Sequence, residues 1–277
     1  MVCGWRPRAA ARKLPQPLRV TLAAVMAEIR TTPWLDEWDR GQRAYFGGDH
    51  KAAHFAALAA SLRAHLPPDG VVLDFGPGDA LHAPSVVATS RHLILCEAAP
   101  AIRANLTTTF RQRPEVTVIS PEDLGTLPAG SVDLVLAHSV LQYLTAPEVE
   151  AFLAAAARLL PPRGVLLVGD LIDPRTSPLA DVWQLVRFAG RGRFLGTALA
   201  RLATLPTTTY ARTRRDHGLV SYSFAGLARD VGAFGFDVRR LPVNLGNNRA
   251  RWTLHATRRA APDDYPGATR APWPARR

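Results

Sequence analysis

The sequence predicts an α/β protein built on a doubly wound, mostly parallel sheet. Three observations carry that expectation. Apolar runs at residues 71–73, 92–96, 134–137 and 165–168 lack the in/out alternation of half-exposed strands, as strands covered on both faces do. Helix-patterned segments lie between them, with Pro/Gly punctuation at the junctions, most plainly in Pro161-Pro162-Arg163-Gly164. The first run closes on Asp74-Phe75-Gly76-Pro77-Gly78-Asp79-Ala80, where two glycines supply a strand-to-helix turn that lets backbone approach a ligand without Cβ atoms in the way.

An acid and a glycine turn at the carboxyl end of a first strand form a nucleotide-type cofactor site. The dinucleotide fingerprint GxGxxG, counted from Gly76, needs its third glycine where Leu81 stands, which weakens a pyrophosphate reading. The stretch Leu73-Asp74-Phe75-Gly76-Pro77-Gly78-Asp79-Ala80 instead resembles motif I of the class I S-adenosylmethionine (SAM) dependent methyltransferases, an acid followed by GxGxG, with Ala80 in the place of the last glycine. The resemblance implies a Rossmann-like, doubly wound seven-stranded sheet with helices on both faces. It also implies SAM as cofactor, held in part by Asp74, Gly76 and Gly78.

Composition narrows the class. With 277 residues, 47% of them hydrophobic, the chain can bury a full core. The two cysteines, Cys3 and Cys96, make a disulfide framework unexpected and point to a reducing, cytoplasmic setting; no apolar run is long enough to span a bilayer. The formal charge of +11 sits mainly at the ends and in one insertion. Residues 1–25 hold Arg6, Arg8, Arg12, Lys13 and Arg19 without an acid, and residues 258–277 hold five arginines against Asp263 and Asp264. A basic surface suits nucleic acid or anionic membrane, but basicity held mostly in the tails argues against a nucleic-acid-reading body.

In chain order, residues 1–31 read as a basic, disordered extension, and residues 32–257 as the methyltransferase domain. A helical leader is expected over residues 32–66, with Tyr45 and His50 its polar residues of interest and its aromatic residues serving packing. A helix over residues 81–90 leads to the second strand, which ends at Glu97. There the resemblance implies an acceptor for the ribose hydroxyls. The third strand, 116–119, precedes Glu122, to which the family pattern assigns the adenine amino group, with Asp123 the alternative. Asp133 opens the fourth strand in a structural role, and His138 and Ser139 follow past its end, facing the crevice. A helix over 146–160 leads to the fifth strand, 165–168, and Asp170. Residues 176–218 lie outside the minimal fold and carry seven arginines against Asp181 and Asp216, interleaved with Trp183, Phe188 and Phe194. An amphipathic helical insertion is expected, acting as a lid over an anionic or lipid-like acceptor or as a peripheral membrane contact. Ser223 caps a helix to 234, strands follow at 236–241 and 251–257, and residues 258–277 form a disordered tail.

Methyl transfer from a sulfonium is an in-line displacement that asks mainly for positioning, and for a base only when the nucleophile arrives protonated. His138 is the candidate base, with Tyr143 and Asp170 as orienting groups. The residues after the fourth strand, Ala137-His138-Ser139-Val140, lack the Asn/Asp-Pro-Pro-aromatic element that the family uses on nucleic-acid bases, and no Cys/His spacing suggests a metal. The expected function is methyl transfer from SAM to a small molecule. Two other readings stay open: an NAD(P)-dependent reductase, and a non-catalytic basic adaptor for nucleic acid or membrane on a SAM-type fold.

Overall fold

The computed structural model describes residues 33–39, 48–191, 196, 216 and 218–260. The strands are β1 (Val71–Phe75), β2 (His92–Cys96), β3 (Val116–Ile119), β4 (Leu134–His138), β5 (Val165–Leu171), β6 (Phe236–Arg240) and β7 (Trp252–Arg258). The helices are α1 (Pro33–Asp39), α2 (Gly48–Leu62), α3 (Ala83–Val87), α4 (Pro100–Thr109), α5 (Ala146–Leu159), α6 (Pro178–Arg191) and α7 (Phe224–Ala233). The sheet runs β3-β2-β1-β4-β5-β7-β6. β7 pairs antiparallel with both β5 and β6, so it alone opposes the other six strands.

Strand order reverses between β1 and β4, which are parallel neighbours. At such a switch point the connections leave in opposite directions and open a crevice beyond the strand ends. Alternation along each strand then decides what enters it. Leu73, Phe75, Val135 and Ala137 join the core layer under α5 and α7. Val72, Leu134, Leu136 and Leu167 join the layer under α2, α3 and α4. Asp74 and His138 share the parity of that second set, so both side chains emerge on the α2 side of the sheet.

The seven-stranded Rossmann-like fold agrees with the expectation, and the differences are local. The helix expected over 81–90 shrinks to α3, because Ala80 keeps a positive φ of 49° and belongs to the turn, while Pro84 starts the helix late. β5 continues through Asp170 to Leu171, with an irregular register against β7 between Val168 and Leu171. His138 is the last residue of β4 rather than beyond it. β7 extends through Arg258, whose guanidinium donates to the carbonyls of Ala157, Phe234 and Gly235; the chain is therefore still part of the fold where the tail was expected to begin. α4 was not singled out from sequence.

Local chemistry explains several joints. Asp133 accepts from the Val71 amide at 2.9 Å and ties the start of β4 to β1, the structural role expected of it. Thr145 and Glu148 form a capping box at the start of α5, and the Ser223 hydroxyl caps α7 by accepting from the Gly226 amide. The extensions 1–31 and 261–277, Tyr45 and most of the 176–218 insertion lie outside the described residues. Of that insertion, α6 packs Phe188 and Ala189 against Ala53 of α2, and leaves Trp183 exposed with Arg187 over its ring. Among the described residues, no helix is long and apolar enough to cross a membrane.

Candidate active site

One half of the candidate site is assembled from two adjacent strand ends. Gly76 and Gly78 take φ of +71° and +57°, the left-handed region that a side chain resists. At Gly76 space adds a second demand: a Cβ would stand 2.6 Å from Cγ2 of Val140. Glu97, buried at the end of β2, accepts from the Gly78 amide at 3.1 Å and from the Ala99 amide at 2.9 Å, so it holds the glycine turn from the neighbouring strand. Burial pushes its pKa up to about 7, against the lowering effect of those two amides. Cys96 beside it is buried and its thiol is likewise pushed up by burial.

A cleft of about 1000 Å³, partly open to solvent, runs from this turn across the switch point. Asp74, Gly76, Gly78, Glu97 and Pro121 line one part, and His54, His138, Ser139 and Tyr143 another. Helices α1 and α2 cover it. Trp34 and Trp38 of α1 meet the Tyr143 ring edge-on, with centroids at 4.8 and 5.3 Å, and Asp39 accepts from the Ala101 amide at the start of α4. Lys51 of α2 pairs with Asp79 in the glycine turn. The leader therefore encloses the cleft, and its aromatic residues do more than fill a helix–helix contact.

The far part is built from β4, β5 and the β6–β7 connection. Ser139 and Asp170 both hold positive φ, 60° and 62°, at consecutive parallel strand ends. Such backbone is costly for non-glycine residues and needs surrounding bonds to hold it. Here the bonds are visible: the Ser139 hydroxyl donates to Asp170 at 2.7 Å and lies 3.2 Å from Nδ1 of His138, while Asn244 donates to Asp170 at 3.4 Å and accepts its amide at 3.1 Å. His138 Nε2 stands 3.3 Å from the Leu245 carbonyl. Its ring is wedged between Gly169 and Gly246, where a Cβ would come within 2.7 and 3.3 Å of ring atoms. Burial lowers its pKa, so the imidazole is neutral.

The predicted residues thus divide. Asp74, Gly76, Gly78, Glu97, His138 and Tyr143 share the cleft lining. Asp170 stands behind Ser139, outside the lining. Glu122 is half-buried in the 3-10 turn Pro121–Thr126, where Pro121 is the lining residue and Asp123 is taken up in capping Ser120. His50 packs against Phe188 of α6 with ring centroids 6.0 Å apart, and burial lowers its pKa to about 4. Sequence reasoning missed His54, His82, Asn244 and Asn247. His54 lies 5.6 Å from the His138 ring, with Nδ1 3.1 Å from Asn247 Oδ1; burial, then the proximity of His138, lower its pKa to about 4. His82 meets Asp74 at 2.7 Å. The Gly246-Asn247-Asn248 turn was the one available signal for the loop. No group of three or more His, Cys, Asp or Glu residues able to hold a metal occurs among the described residues.

Comparison with known proteins bears on this geometry directly. Residues 73–168 match a family model described as a methyltransferase domain. A search of curated proteins gives no match. Among solved structures, the magnesium protoporphyrin IX methyltransferase of Synechocystis PCC 6803 with bound S-adenosylhomocysteine (SAH) superposes with a TM-score of 0.51 at 19% identity, over 80% of this chain and 94% of that one. The same enzyme with bound SAM gives 0.50 at 16%, over 88% and 100%. A possible exported protein from Bordetella parapertussis gives 0.51 at 17%, over 74% and 67%. At such identities these likenesses speak for the fold. The matched span runs through the glycine turn, Glu97 and His138, so the site-bearing half of the sheet carries a methyltransferase-domain signature, on a fold shared with a methyltransferase whose structures hold SAM and SAH.

Proposed function

We propose that this enzyme methylates a small, largely apolar molecule through a hydroxyl or another protonated nucleophile, with His138 as the proton acceptor. The observation that carries the reading is the hydrogen-bonded chain from His138 through Ser139 to Asp170 at one end of a cleft whose other end is the glycine turn. When bound, SAM supplies a methyl group on a sulfonium, an electrophile that needs no activation. The two buried carboxyl groups facing the cleft, Asp74 and Glu97, suit a cationic cofactor. In this reading Glu97 receives the ribose hydroxyls, Glu122 the adenine amino group, and Gly76 and Gly78 let backbone approach.

The distances decide which groups accept. Ser139 has one proton, and its 2.7 Å contact with the Asp170 carboxylate is the shorter and charge-assisted one. Its oxygen then faces Nδ1 of His138 as an acceptor, as the Leu245 carbonyl faces Nε2, so the neutral ring donates to one of the two and a second proton would find the other. A proton arriving on Nε2 finds the Leu245 carbonyl at 3.3 Å, and Asp170, through Ser139, offsets the new charge. Asp170 acts as an orienting group, while Tyr143 closes the cleft with the indoles of α1. His54, Phe55 and Leu58 give the acceptor end an apolar, aromatic wall. The basic 176–218 segment, anchored by α6 on α2, is assigned to the acceptor side as a lid for an anionic or lipid-like substrate or as a membrane contact. A cytoplasmic setting fits the buried, free thiol of Cys96.

The test has two stages. SAH is titrated calorimetrically into wild-type protein and into Gly78→Arg and Glu97→Ala. The protein is then incubated with methyl-tritiated SAM and panels of phenols, hydroxy acids and fatty acids. Micromolar SAH binding that is lost in Gly78→Arg supports the cofactor site, and label transfer abolished in His138→Gln supports the base. Transfer undiminished in His138→Gln sinks the role given to His138.

A further inference from the structure

We propose that this protein docks on anionic lipid bilayers through the face at the carboxyl ends of its strands, with the outward side of α6 leading. Docking goes beyond methyl transfer and decides between the two roles, lid or membrane contact, given above to the basic 176–218 segment. Among the described residues, the exposed large hydrophobic side chains are Leu81, Trp183, Val220 and Val243. Single exposed hydrophobic residues are ordinary on a protein surface, so their number decides nothing. Their placement does, because each stands on a connection that leaves the carboxyl end of a strand. Leu81 follows β1, Trp183 and Val220 follow β5, and Val243 lies between β6, which runs parallel to β5, and β7. The Val220 amide donates to the Gln142 carbonyl in the turn after β4, and α6 packs beside the end of α2 whose Lys51 pairs with Asp79 of the glycine turn. The cleft opens at this same end of the sheet.

The two sides of α6 show why a bilayer fits. Phe188 and Ala189 face α2, against His50 and Ala53. Trp183, Arg187 and Gly190, spaced by four and three residues, share the opposite side and are exposed. Trp183 is 58% exposed, with the Arg187 guanidinium 5.3 Å from its ring centroid. An indole is best placed at the level of lipid headgroups, which serve both its apolar body and its N–H, and a guanidinium beside it meets lipid phosphates. The 176–218 sequence adds six further arginines against Asp181 and Asp216. Asp79 and Asp173, on the connections after β1 and β5, are already paired with Lys51 and Arg175. A nucleic acid would use the arginines but gain nothing from Leu81, Val220 and Val243. A second copy of the chain would set the same positive charge against itself. An anionic bilayer answers the charge and the apolar side chains together.

Co-sedimentation of the full chain with vesicles tests docking without cofactor or acceptor, so its failure leaves the methyl-transfer reading standing. Vesicles of phosphatidylcholine alone are compared with vesicles that also contain phosphatidylglycerol, at low and at high salt. Wild type is expected to bind the mixed vesicles at least about tenfold more strongly, and salt to weaken that binding. Trp183→Ser should cut binding about tenfold, and Arg187→Gln about fivefold on the mixed vesicles alone, with the thermal midpoint unchanged in both. Val243→Glu, on a different connection, should cut binding about fivefold. Unchanged binding in Val243→Glu would show that the end of the sheet does not face the bilayer, and the proposal would fall. It also falls if folded wild type does not distinguish the two vesicles, or if Trp183→Ser binds as wild type does. Duplex DNA bound in place of vesicles would give the charge to nucleic acid, and a dimer that Trp183→Ser splits, with no vesicle binding, would give the patch to a second copy; either overturns the proposal.

Discussion

The two halves of the cleft are built in opposite ways. The half around Gly76, Gly78 and Glu97 uses one short stretch of chain and the end of the adjacent strand, with Glu97 reaching the Gly78 amide across 19 residues. The half around His138 draws on β4, on Asp170 31 residues further on, and on the β6–β7 loop 107 residues away. The first half is therefore a local motif that any chain of this fold can carry. The second is a tertiary assembly, and its side chains are the ones to which the proposed proton transfer is given.

The sharpest way to break the local half is Gly76→Val. The position combines a φ of +71° with a neighbour 2.6 Å from any Cβ. The dihedral alone costs about 1–3 kcal/mol, so SAH affinity is expected to fall more than about 100-fold in titration, with a lowered thermal midpoint. Retention of wild-type SAH affinity would mean that the cofactor does not use this turn.

The long-range half breaks at the relay. Asp170→Asn keeps the shape but removes the charge that stabilises a protonated His138. The rate of methyl transfer is expected to drop about 100-fold, the lower range for general-base contributions, while SAH affinity stays within about twofold. A parallel loss of SAH binding would place Asp170 in cofactor binding and not in proton handling. His138→Gln should lose about as much, since the two act as one unit.

This asymmetry explains what could be read from the chain alone. The first five strands and the positions of Asp74, Gly76, Gly78 and Glu97 follow from local patterns of apolar runs and glycines, and the seven-stranded sheet from the resemblance that those residues carry. His138 was also legible, as a polar residue at a strand end. What it does there was not, because its partners Ser139, Asp170 and the Leu245 carbonyl meet only through positive-φ backbone at two strand ends and a loop between β6 and β7. Asn244 and Asn247 carry no motif. His54 and His82 looked like residues of ordinary helical segments, and only the fold brings them against His138 and Asp74.

A smaller effect sharpens the comparison through pH. Burial raises the Glu97 pKa from 4.5 to about 7, so between those values the unfolded carboxyl has lost its proton while the folded one keeps it, and the unliganded protein loses stability as pH rises through that window. Ribose hydroxyls would favour the ionised form, so SAH affinity should run the other way, rising about tenfold between about pH 6 and about pH 8. Glu97→Gln should flatten that dependence while Asp170→Asn leaves it intact. A flat wild-type profile would show that Glu97 does not change protonation on binding.

The mildest intervention is Asn247→Ala, which cuts one bond of the long-range half without touching β4 or β5. Asn247 Oδ1 is 3.1 Å from Nδ1 of His54 and raises that group's pKa, opposing the burial that lowers it to about 4. Removing the amide should move the His54 titration still lower in histidine-selective NMR spectra and free its ring to turn. Since His54 walls the acceptor end but stands outside the relay, the expected cost is a rise of roughly threefold in KM with kcat nearly unchanged, about the worth of one neutral hydrogen bond. A fall in kcat as large as that of Asp170→Asn would instead draw His54 into proton transfer, and the two histidines 5.6 Å apart would then have to be treated as a coupled pair.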